Sequence, residues 1–277
     1  MLLSETKREL RRLDTRARKG LGQNFLVDKH ALDRIVAAAK LTPDDYVVEV
    51  GPGLGVLTQE LAKEAGRVVA VELDRTMAAA LREKFADSNN VEIIEADILD
   101  CAPESLVPSD RDYKVVGALP YNIASAVLRR FLEAGRKPTV IVAVVQKEVG
   151  QSIAAKPGDM SLLSVGVQLY GKPAIVKIIP PRSFYPQPKV DSAIVHIDVY
   201  RDPPVKVDDE AAFFNVVRGG FSTPRKQLRN SLSHGLRIAP NEAGDILDGA
   251  GIDPKRRAET LSIAEWAELY RVFSKKR

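Results

Sequence analysis

The 277 residues are enough to bury a sizeable core, as one large domain or as a large and a small one. Hydrophobic residues make up 45% and charged residues 28%, as in ordinary soluble globular proteins, and no apolar run is long enough to span a bilayer. One cysteine, Cys101, excludes an internal disulfide, and three histidines argue against a Cys/His metal site. The N-terminus lacks the apolar core of a signal peptide, so we expect a cytoplasmic protein without a metal and without a membrane segment.

The net charge is +4 and the sequence pI is about 9.0, and the basic residues are concentrated in two stretches. Residues 1–20 carry seven Lys or Arg and three Asp or Glu, whereas residues 218–237 carry five Lys or Arg and no acid. A solvated basic face is the ordinary explanation for either stretch alone. Two such stretches at opposite ends of one chain favour a nucleic-acid surface instead.

From about residue 29 the pattern alternates between helices and strands. Apolar residues at helical spacing predict helices over 28–41, 55–66, 75–86 and 125–135. Short apolar runs predict strands over 46–51, 67–74, 91–97, 113–121 and 139–146, the last nearly all apolar, as in a strand buried on both faces. Repeated strand–helix units of this size predict a parallel sheet wrapped by helices.

Two more strands, over 172–180 and 191–202, flank a proline-rich loop and are expected to form an antiparallel pair at one edge of the sheet. Residues 201–209 have the composition of a linker, and from Glu210 onwards the pattern is helical only. The predicted fold class is therefore α/β. It combines a Rossmann-like, mostly parallel sheet over residues 1–200, including a basic N-terminal segment over 1–28, with a small all-α domain over 201–277.

A glycine-rich turn, Gly51, Gly53 and Gly55, lies between the first predicted strand of the sheet and the helix that follows it. Glycines at this point allow a ligand to approach the backbone and the helix N-terminus closely. The dinucleotide fingerprint would need its third glycine at the position of Val56, and the Gly-Lys-Ser/Thr of a phosphate loop is absent. The spacing suits a nucleoside with an amino-acid tail better than a pyrophosphate.

Carboxylates end the next two strands. Glu72 could accept both hydroxyls of a ribose, and Asp97 could accept a hydrogen bond from an adenine amino group. Acids are also common at strand ends because they suit turns. Together with the glycines at successive strand ends, the two acids favour a nucleoside site.

With these residues in view, the chain resembles the class I S-adenosylmethionine-dependent methyltransferases. More narrowly, it resembles the ribosomal RNA adenine N6-dimethyltransferases, the KsgA family, over nearly its whole length. The segments that carry this resemblance are KGLGQNFLVD, VEVGPGLGVLT, VELD, EADIL, LPYNI, PPRSFYPQPKVDSAIV, GFSTPRKQLRNSL and RAETLSIAEWAELY. The resemblance implies S-adenosylmethionine as cofactor and 16S rRNA in the small ribosomal subunit as partner, and we expect a monomer.

The resemblance also implies a set of site residues. Asn24 and Leu26 would lie over the methionine part of the cofactor, and Phe184 would face the target base from a rigid, exposed aromatic loop. Expected cofactor contacts are Asn24, Leu26, Gly51, Gly53, Gly55, Glu72, Leu73, Asp97, Ile98 and Ala118. Expected catalytic residues are Leu119, Pro120, Tyr121 and Phe184, and expected RNA contacts are Arg218, Arg225, Lys226 and Arg229.

The tripeptide Leu119-Pro120-Tyr121 has a chemical rationale of its own. Proline cannot continue a strand ladder, so the carbonyl of Leu119 is left free to accept a hydrogen bond from the target amine. Tyr121 can then stack on a flipped base, an interaction worth roughly 1–3 kcal/mol. An ordinary edge turn that packs a tyrosine is the alternative.

Ala118 departs from the family, which usually has an asparagine here whose side chain is a second acceptor for the amine. Loss of such a bond could cost about 2.7–4 kcal/mol in the transition state. Three explanations remain open: a slow enzyme, another group or a water acting as acceptor, or a ribosome-assembly factor kept mainly for binding. A related methyltransferase of large-subunit RNA is a further alternative.

Overall fold

The computed structural model describes residues 2–276, without the side chain of Lys19. The chain divides into two compact units. The first contains the described residues up to Gly150 together with Lys172–Val199, and the second contains Gln151–Gly171 and the described residues from Tyr200 onwards. The second unit therefore includes a segment, Gln151–Gly171, that precedes the boundary predicted near residue 200.

The strands are β1 Phe25–Leu26, β2 Tyr46–Val50, β3 Arg67–Glu72, β4 Val91–Glu95, β5 Tyr113–Ala118, β6 Val140–Gln146, β7 Gly171–Ile179, β8 Phe184–Tyr185 and β9 Ser192–Val199. The helices are α1 Leu2–Arg12, α2 Lys29–Ala39, α3 Val56–Glu64, α4 Arg75–Lys84, α5 Ala124–Leu132, α6 Lys147–Ile153, α7 Leu162–Gln168, α8 Glu210–Phe221, α9 Leu228–Leu236, α10 Pro240–Gly249 and α11 Ile263–Lys275. No helix over residues 2–276 is long and apolar enough to cross a membrane.

The main sheet has seven strands in the order β4-β3-β2-β5-β6-β9-β7. Neighbouring strands from β4 to β6 are parallel, and β9 pairs antiparallel with β6, Val144 opposite Ile194. The central strands are apolar along their length because helices cover both faces of such a sheet. The predicted fold class, a mostly parallel sheet with an antiparallel edge, is confirmed.

A second, two-stranded sheet joins distant parts of the chain. Strand β1 pairs antiparallel with β8, so that Phe25 lies opposite Tyr185 and Leu26 opposite Phe184. Asp28 accepts hydrogen bonds from the backbone of His30 and Ala31 at the start of α2, and its other oxygen accepts one from Ser183 Oγ at 2.7 Å. This Ser183 bond is the main reason that the pKa of Asp28 lies below its ordinary value. The pairing holds the N-terminal motif, which we define as residues 19–28, beside the aromatic loop, which we define as residues 183–188.

The second unit is helical, as the sequence predicts for residues from Glu210 onwards. Trp266 of α11 is fully buried, and its ring lies 5.5 Å from that of Phe221 at the end of α8. A Cβ built at Gly220 would lie 2.4 Å from the Trp266 ring, so α8 needs a glycine at this contact.

Candidate active site

A cavity of about 300 Å³ opens at the carboxyl ends of β2, β3, β4 and β5. This is the edge at which open parallel sheets bind their ligands. Its walls include every residue predicted to bind the cofactor except Gly55, and all four predicted catalytic residues. In the described part of the chain no group of three or more His, Cys, Asp or Glu side chains could hold a metal ion.

The three glycines after β2 have different surroundings. All three have positive φ, 67° at Gly51, 57° at Gly53 and 74° at Gly55, a region that other residues adopt at a cost. A Cβ built at Gly51 would have no atom closer than 4.0 Å, so its missing side chain leaves open space beside Ala118 and Pro120. A Cβ at Gly55 would lie 2.6 Å from Leu81 and 2.9 Å from Phe85. Gly55 therefore permits packing against α4 and its neighbour and does not line the cavity.

The carboxylate of Glu72 is buried and held on both sides by the backbone. Its Oε2 accepts a hydrogen bond from Gly53 N at 2.9 Å, and its Oε1 accepts one from Asp74 N at 2.8 Å. Burial raises the pKa of Glu72, and these two backbone bonds act against that rise. Each oxygen keeps lone pairs for a further donor, so the carboxylate is preorganised to accept from a pair of hydroxyls.

Asp74 extends this arrangement to the N-terminal motif. Its Oδ2 accepts from Gln23 Nε2 at 3.1 Å and lies 3.4 Å from Arg18 Nε, while its Oδ1 accepts from Thr76 N at the start of α4. Gln23 in turn accepts from Arg18 N at 2.8 Å. The segment over 18–24 is thus tied to the strand end that carries Glu72.

Asp97 follows β4 and contributes one fixed oxygen, since its Oδ1 accepts from Leu99 N at 2.9 Å. Ile98 is buried next to it, while Leu73, after Glu72, is 49% exposed. Both apolar side chains line the same cavity. A flat apolar group with a donor at its edge, such as an adenine, matches this combination.

Glu49, one residue before the end of β2, is a third acid in the wall, and the sequence did not single it out. It is 1% exposed, and its Oε2 has no hydrogen-bond partner. Burial raises the pKa of Glu49 to about 8, opposed by the neighbouring Thr58 and reinforced by the charge of Glu72. This unpartnered oxygen is enclosed by the protein, so the low polarity of its surroundings favours the protonated carboxyl group.

The Leu-Pro-Tyr tip faces the N-terminal motif across the cavity. Leu119 N donates to Val144 O at 3.1 Å and Ile123 N donates to Pro120 O at 3.1 Å, and the Leu119 carbonyl takes part in neither bond. A Cβ built at Gly22 would lie 2.9 Å from Asn122 Oδ1 and 3.2 Å from Pro120. The turn at Gly22, where Asn24 Nδ2 donates to the carbonyl, therefore lies against the tip.

Tyr121 is half-buried, and its hydroxyl lies 2.7 Å from Ser192 Oγ on β9. Burial raises the pKa of Tyr121, so the ring carries a neutral hydroxyl. Phe184 is only 3% exposed, because the β1–β8 pairing turns it into the wall beside Leu26 and Val144. The expectation of an exposed aromatic loop is therefore wrong for Phe184.

The four predicted RNA-binding residues lie in the second unit. Arg218 is on α8, Arg229 is on α9, and Arg225 and Lys226 are in the turn between these helices; all four side chains are exposed. The turn is held by Thr223, whose hydroxyl lies 2.8 Å from Ser231 Oγ and whose carbonyl accepts from Lys226 N. The turn therefore clusters four cations in one short region.

Gln23, Asp74, Glu49 and Ser192 are site residues that the sequence reasoning did not find. Gln23 stands within the N-terminal motif and Asp74 within VELD, so both had a local signal. No local pattern could join Tyr121 to Ser192, which are 71 positions apart.

Comparison with known proteins adds three findings. The sequence model described as ribosomal RNA adenine dimethylase matches residues 14–275. The ribosomal RNA small subunit methyltransferase A of Dehalococcoides mccartyi (strain CBDB1) is 50% identical over 97% of this chain and 92% of its own length. The corresponding protein of Geobacter metallireducens (strain ATCC 53774 / DSM 7210 / GS-15) is 44% identical, over 93% and 96%.

Two solved structures are similar throughout. A dimethyladenosine transferase from Plasmodium falciparum has a TM-score of 0.78 and 25% identity, over 91% of this chain and 98% of that one. The 23S rRNA methyltransferase ErmE has a TM-score of 0.73 and 31% identity, over 91% and 100%.

Proposed function

The chain belongs to the ribosomal RNA adenine dimethylase family, and we propose that it uses S-adenosylmethionine to dimethylate N6 of two adjacent adenines near the 3′ end of 16S rRNA. The observation that carries this proposal is that one cavity gathers residues of the glycine turn, Glu72, Asp97 and the Leu-Pro-Tyr tip. We favour small-subunit RNA as the substrate because the two curated relatives of that name described above are 50% and 44% identical, against 31% for the 23S rRNA enzyme.

The cavity fits the cofactor in the chemistry of its groups. Glu72 presents two backbone-held oxygens for ribose hydroxyls, and Asp97 presents an acceptor beside Leu73 and Ile98 for the adenine. The open space at Gly51 and the acceptors of Asn24 would surround the amino-acid part. When bound, S-adenosylmethionine supplies a methyl group attached to a positively charged sulfur. The thioether that remains after methyl transfer is an excellent leaving group.

The chain's own residues would act on the nucleophile, whose lone pair is delocalised into the adenine ring. The Leu119 carbonyl would accept a hydrogen bond from the amine and orient it, and holding two reactants in line can contribute several kcal/mol. Tyr121, fixed by Ser192, would stack on the flipped base, and Phe184 would close the wall behind it. We expect the α8–α9 turn, with Arg218, Arg225, Lys226 and Arg229, to contact RNA phosphates.

A second candidate function follows from Ala118, which ends β5 at the cavity without a polar side chain. If no other group replaces the missing acceptor, the protein would act chiefly as a ribosome-assembly factor that binds the immature subunit.

One experiment separates these functions. Undermethylated small subunits, and 23S rRNA in a parallel reaction, are incubated with protein and radiolabelled S-adenosylmethionine, and the RNA is digested to nucleosides. Labelled dimethyladenosine from the small subunit at catalytic turnover supports the proposal. Tight subunit binding without label supports the assembly factor, and label in 23S rRNA alone supports the large-subunit alternative. Ala118→Asn in the same assay tests the missing acceptor: no gain in rate means that another group supplies it.

A further inference from the structure

The N-terminal helix α1 is packed onto the wall of the cavity. Leu10 is buried in a cluster with Phe25 and Met77, and Leu54 and Tyr185 pack against the same cluster. Phe25 and Leu54 line the cavity directly, and Tyr185 adjoins Phe184, which also lines it. Helix α1 is therefore fixed against the outside of the wall that Phe25 and Leu54 form.

The acids and bases of α1 are segregated. Glu5 and Glu9 face α4: burial lowers the pKa of Lys84, and the charges of Glu9 and Glu5 oppose that change. Glu9 also accepts from Arg12 Nε at 2.9 Å, and Arg12 reaches Glu83 of α4 at 3.2 Å. The carboxylates of α1 are thus engaged towards α4, a separation that the net charge of the segment does not reveal.

The remaining cations of α1 form its basic face, which we define as Lys7, Arg8 and Arg11. All three side chains are exposed, and within residues 2–276 none lies in an ion pair with a carboxylate. Lys7 Nζ lies 5.2 Å above the ring of Tyr185, so the face extends onto the aromatic loop. Lys7 and Arg11 are one turn apart, which places their Cβ atoms about 5–6 Å from each other.

We propose that the basic face of α1 binds phosphates of the RNA strand that flanks the target adenine. A base inserted in the cavity brings the phosphates of its neighbours onto the surrounding surface, and α1 presents unpaired cations there. This inference rests on the proposed function, adds a contact separate from the α8–α9 turn, and gives the N-terminal helix a role in positioning the substrate.

The test compares the full chain with Arg8→Gln/Arg11→Gln. The matched control, Arg34→Gln/Lys172→Gln, removes two exposed cations from α2 and the edge strand β7. Binding to undermethylated small subunits is measured from 50 to 200 mM KCl, and S-adenosylmethionine affinity is measured by calorimetry. The salt slope is the steepness with which the logarithm of the binding constant falls as the logarithm of the salt concentration rises. Loss of two phosphate contacts to a single strand should reduce this steepness by about 1.4, or about 0.7 per phosphate. Over this salt range the affinity of the variant should fall about sevenfold less than that of the wild type.

Arg8→Lys/Arg11→Lys should restore the slope, and all variants should bind S-adenosylmethionine as the wild type does. The inference is overturned if Arg8→Gln/Arg11→Gln keeps the wild-type salt slope, or if the control variant shows an equal reduction of that slope. It is also overturned if Arg8→Gln/Arg11→Gln binds S-adenosylmethionine more weakly than the wild type. In each of these cases the proposed function stands, provided that the wild type binds and methylates the subunit. If the wild type does neither, the proposed function and the inference both fail.

Discussion

Replacement of Gly51 and Gly55 by alanine, one at a time, should distinguish a glycine that leaves space for the ligand from a glycine that permits helix packing. At Gly55 the new Cβ would lie 2.6 Å from Leu81 Cδ2 and 2.9 Å from Phe85 Cε2, at a φ of +74°. At Gly51 the φ is similar, +67°, but the nearest atoms, Ala118 O and Pro120 Cδ, are both 4.0 Å away. The two substitutions therefore share backbone strain and differ in steric overlap.

The shared strain is about 1–2 kcal/mol for an L-residue in the left-handed region. Overpacking against Leu81 and Phe85 adds about 1–3 kcal/mol at Gly55 alone. We therefore expect Gly55→Ala to be about 1–3 kcal/mol less stable than Gly51→Ala, which corresponds to a difference in Tm of roughly 2–12 °C in a protein of this size. Gly51→Ala should instead weaken cofactor binding, because its methyl group enters the cavity.

Urea unfolding without ligand measures the first effect, since bound ligand would add its own stabilisation. Calorimetric titration of the folded variants with S-adenosylmethionine measures the second. Equal stability of Gly51→Ala and Gly55→Ala would refute the packing argument. Wild-type cofactor affinity in Gly51→Ala would refute the assignment of Gly51 to the ligand.

Three further predictions concern the buried polar groups of the site. Burial holds the pKa of Glu49 at about 8, above its ordinary 4.5, so the folded state keeps a proton that the unfolded state loses. The wild type should lose stability in urea unfolding as pH rises through this window, by at most about 1.4 kcal/mol per pH unit, and Glu49→Gln should flatten that profile. Ser192→Ala should lower kcat/KM about 2–12-fold, because it removes the hydrogen bond that holds Tyr121, and should leave cofactor affinity unchanged. Tyr121→Phe removes the same bond and should lower kcat/KM by the same factor. A larger fall in kcat/KM in only one of the two variants would contradict this pairing. Asp74→Asn should weaken S-adenosylmethionine about tenfold or more in calorimetry by loosening Gln23, and wild-type affinity would show that the 18–24 segment needs no such anchor.

The pattern of apolar residues along the chain was sufficient to predict the strands of the main sheet and the helices between them. The segments of β2, β3 and β6 are apolar because helices cover both faces of the sheet. Each such run is only a few residues long, so it can be recognised in the sequence without knowledge of distant contacts. The strand-end positions of Gly51, Glu72 and Asp97 follow from the same reading, because parallel strands bring their carboxyl ends to one edge. Family resemblance was needed for Asn24 and Phe184, whose local patterns are an ordinary turn and an aromatic loop.

Other features depend on contacts between residues far apart in the chain. Leu26 faces Phe184 in a two-residue ladder, Tyr121 reaches Ser192, and Gln23 reaches Asp74; strands of two residues and single hydrogen bonds leave no periodic trace. Gly55 looks like Gly51 in the motif, yet one meets the side chains of Leu81 and Phe85 and the other meets open space. Local pattern specifies which elements form, because helix and strand periodicities act over a few residues. Which side chains meet, and with what charge and burial, is settled when those elements pack.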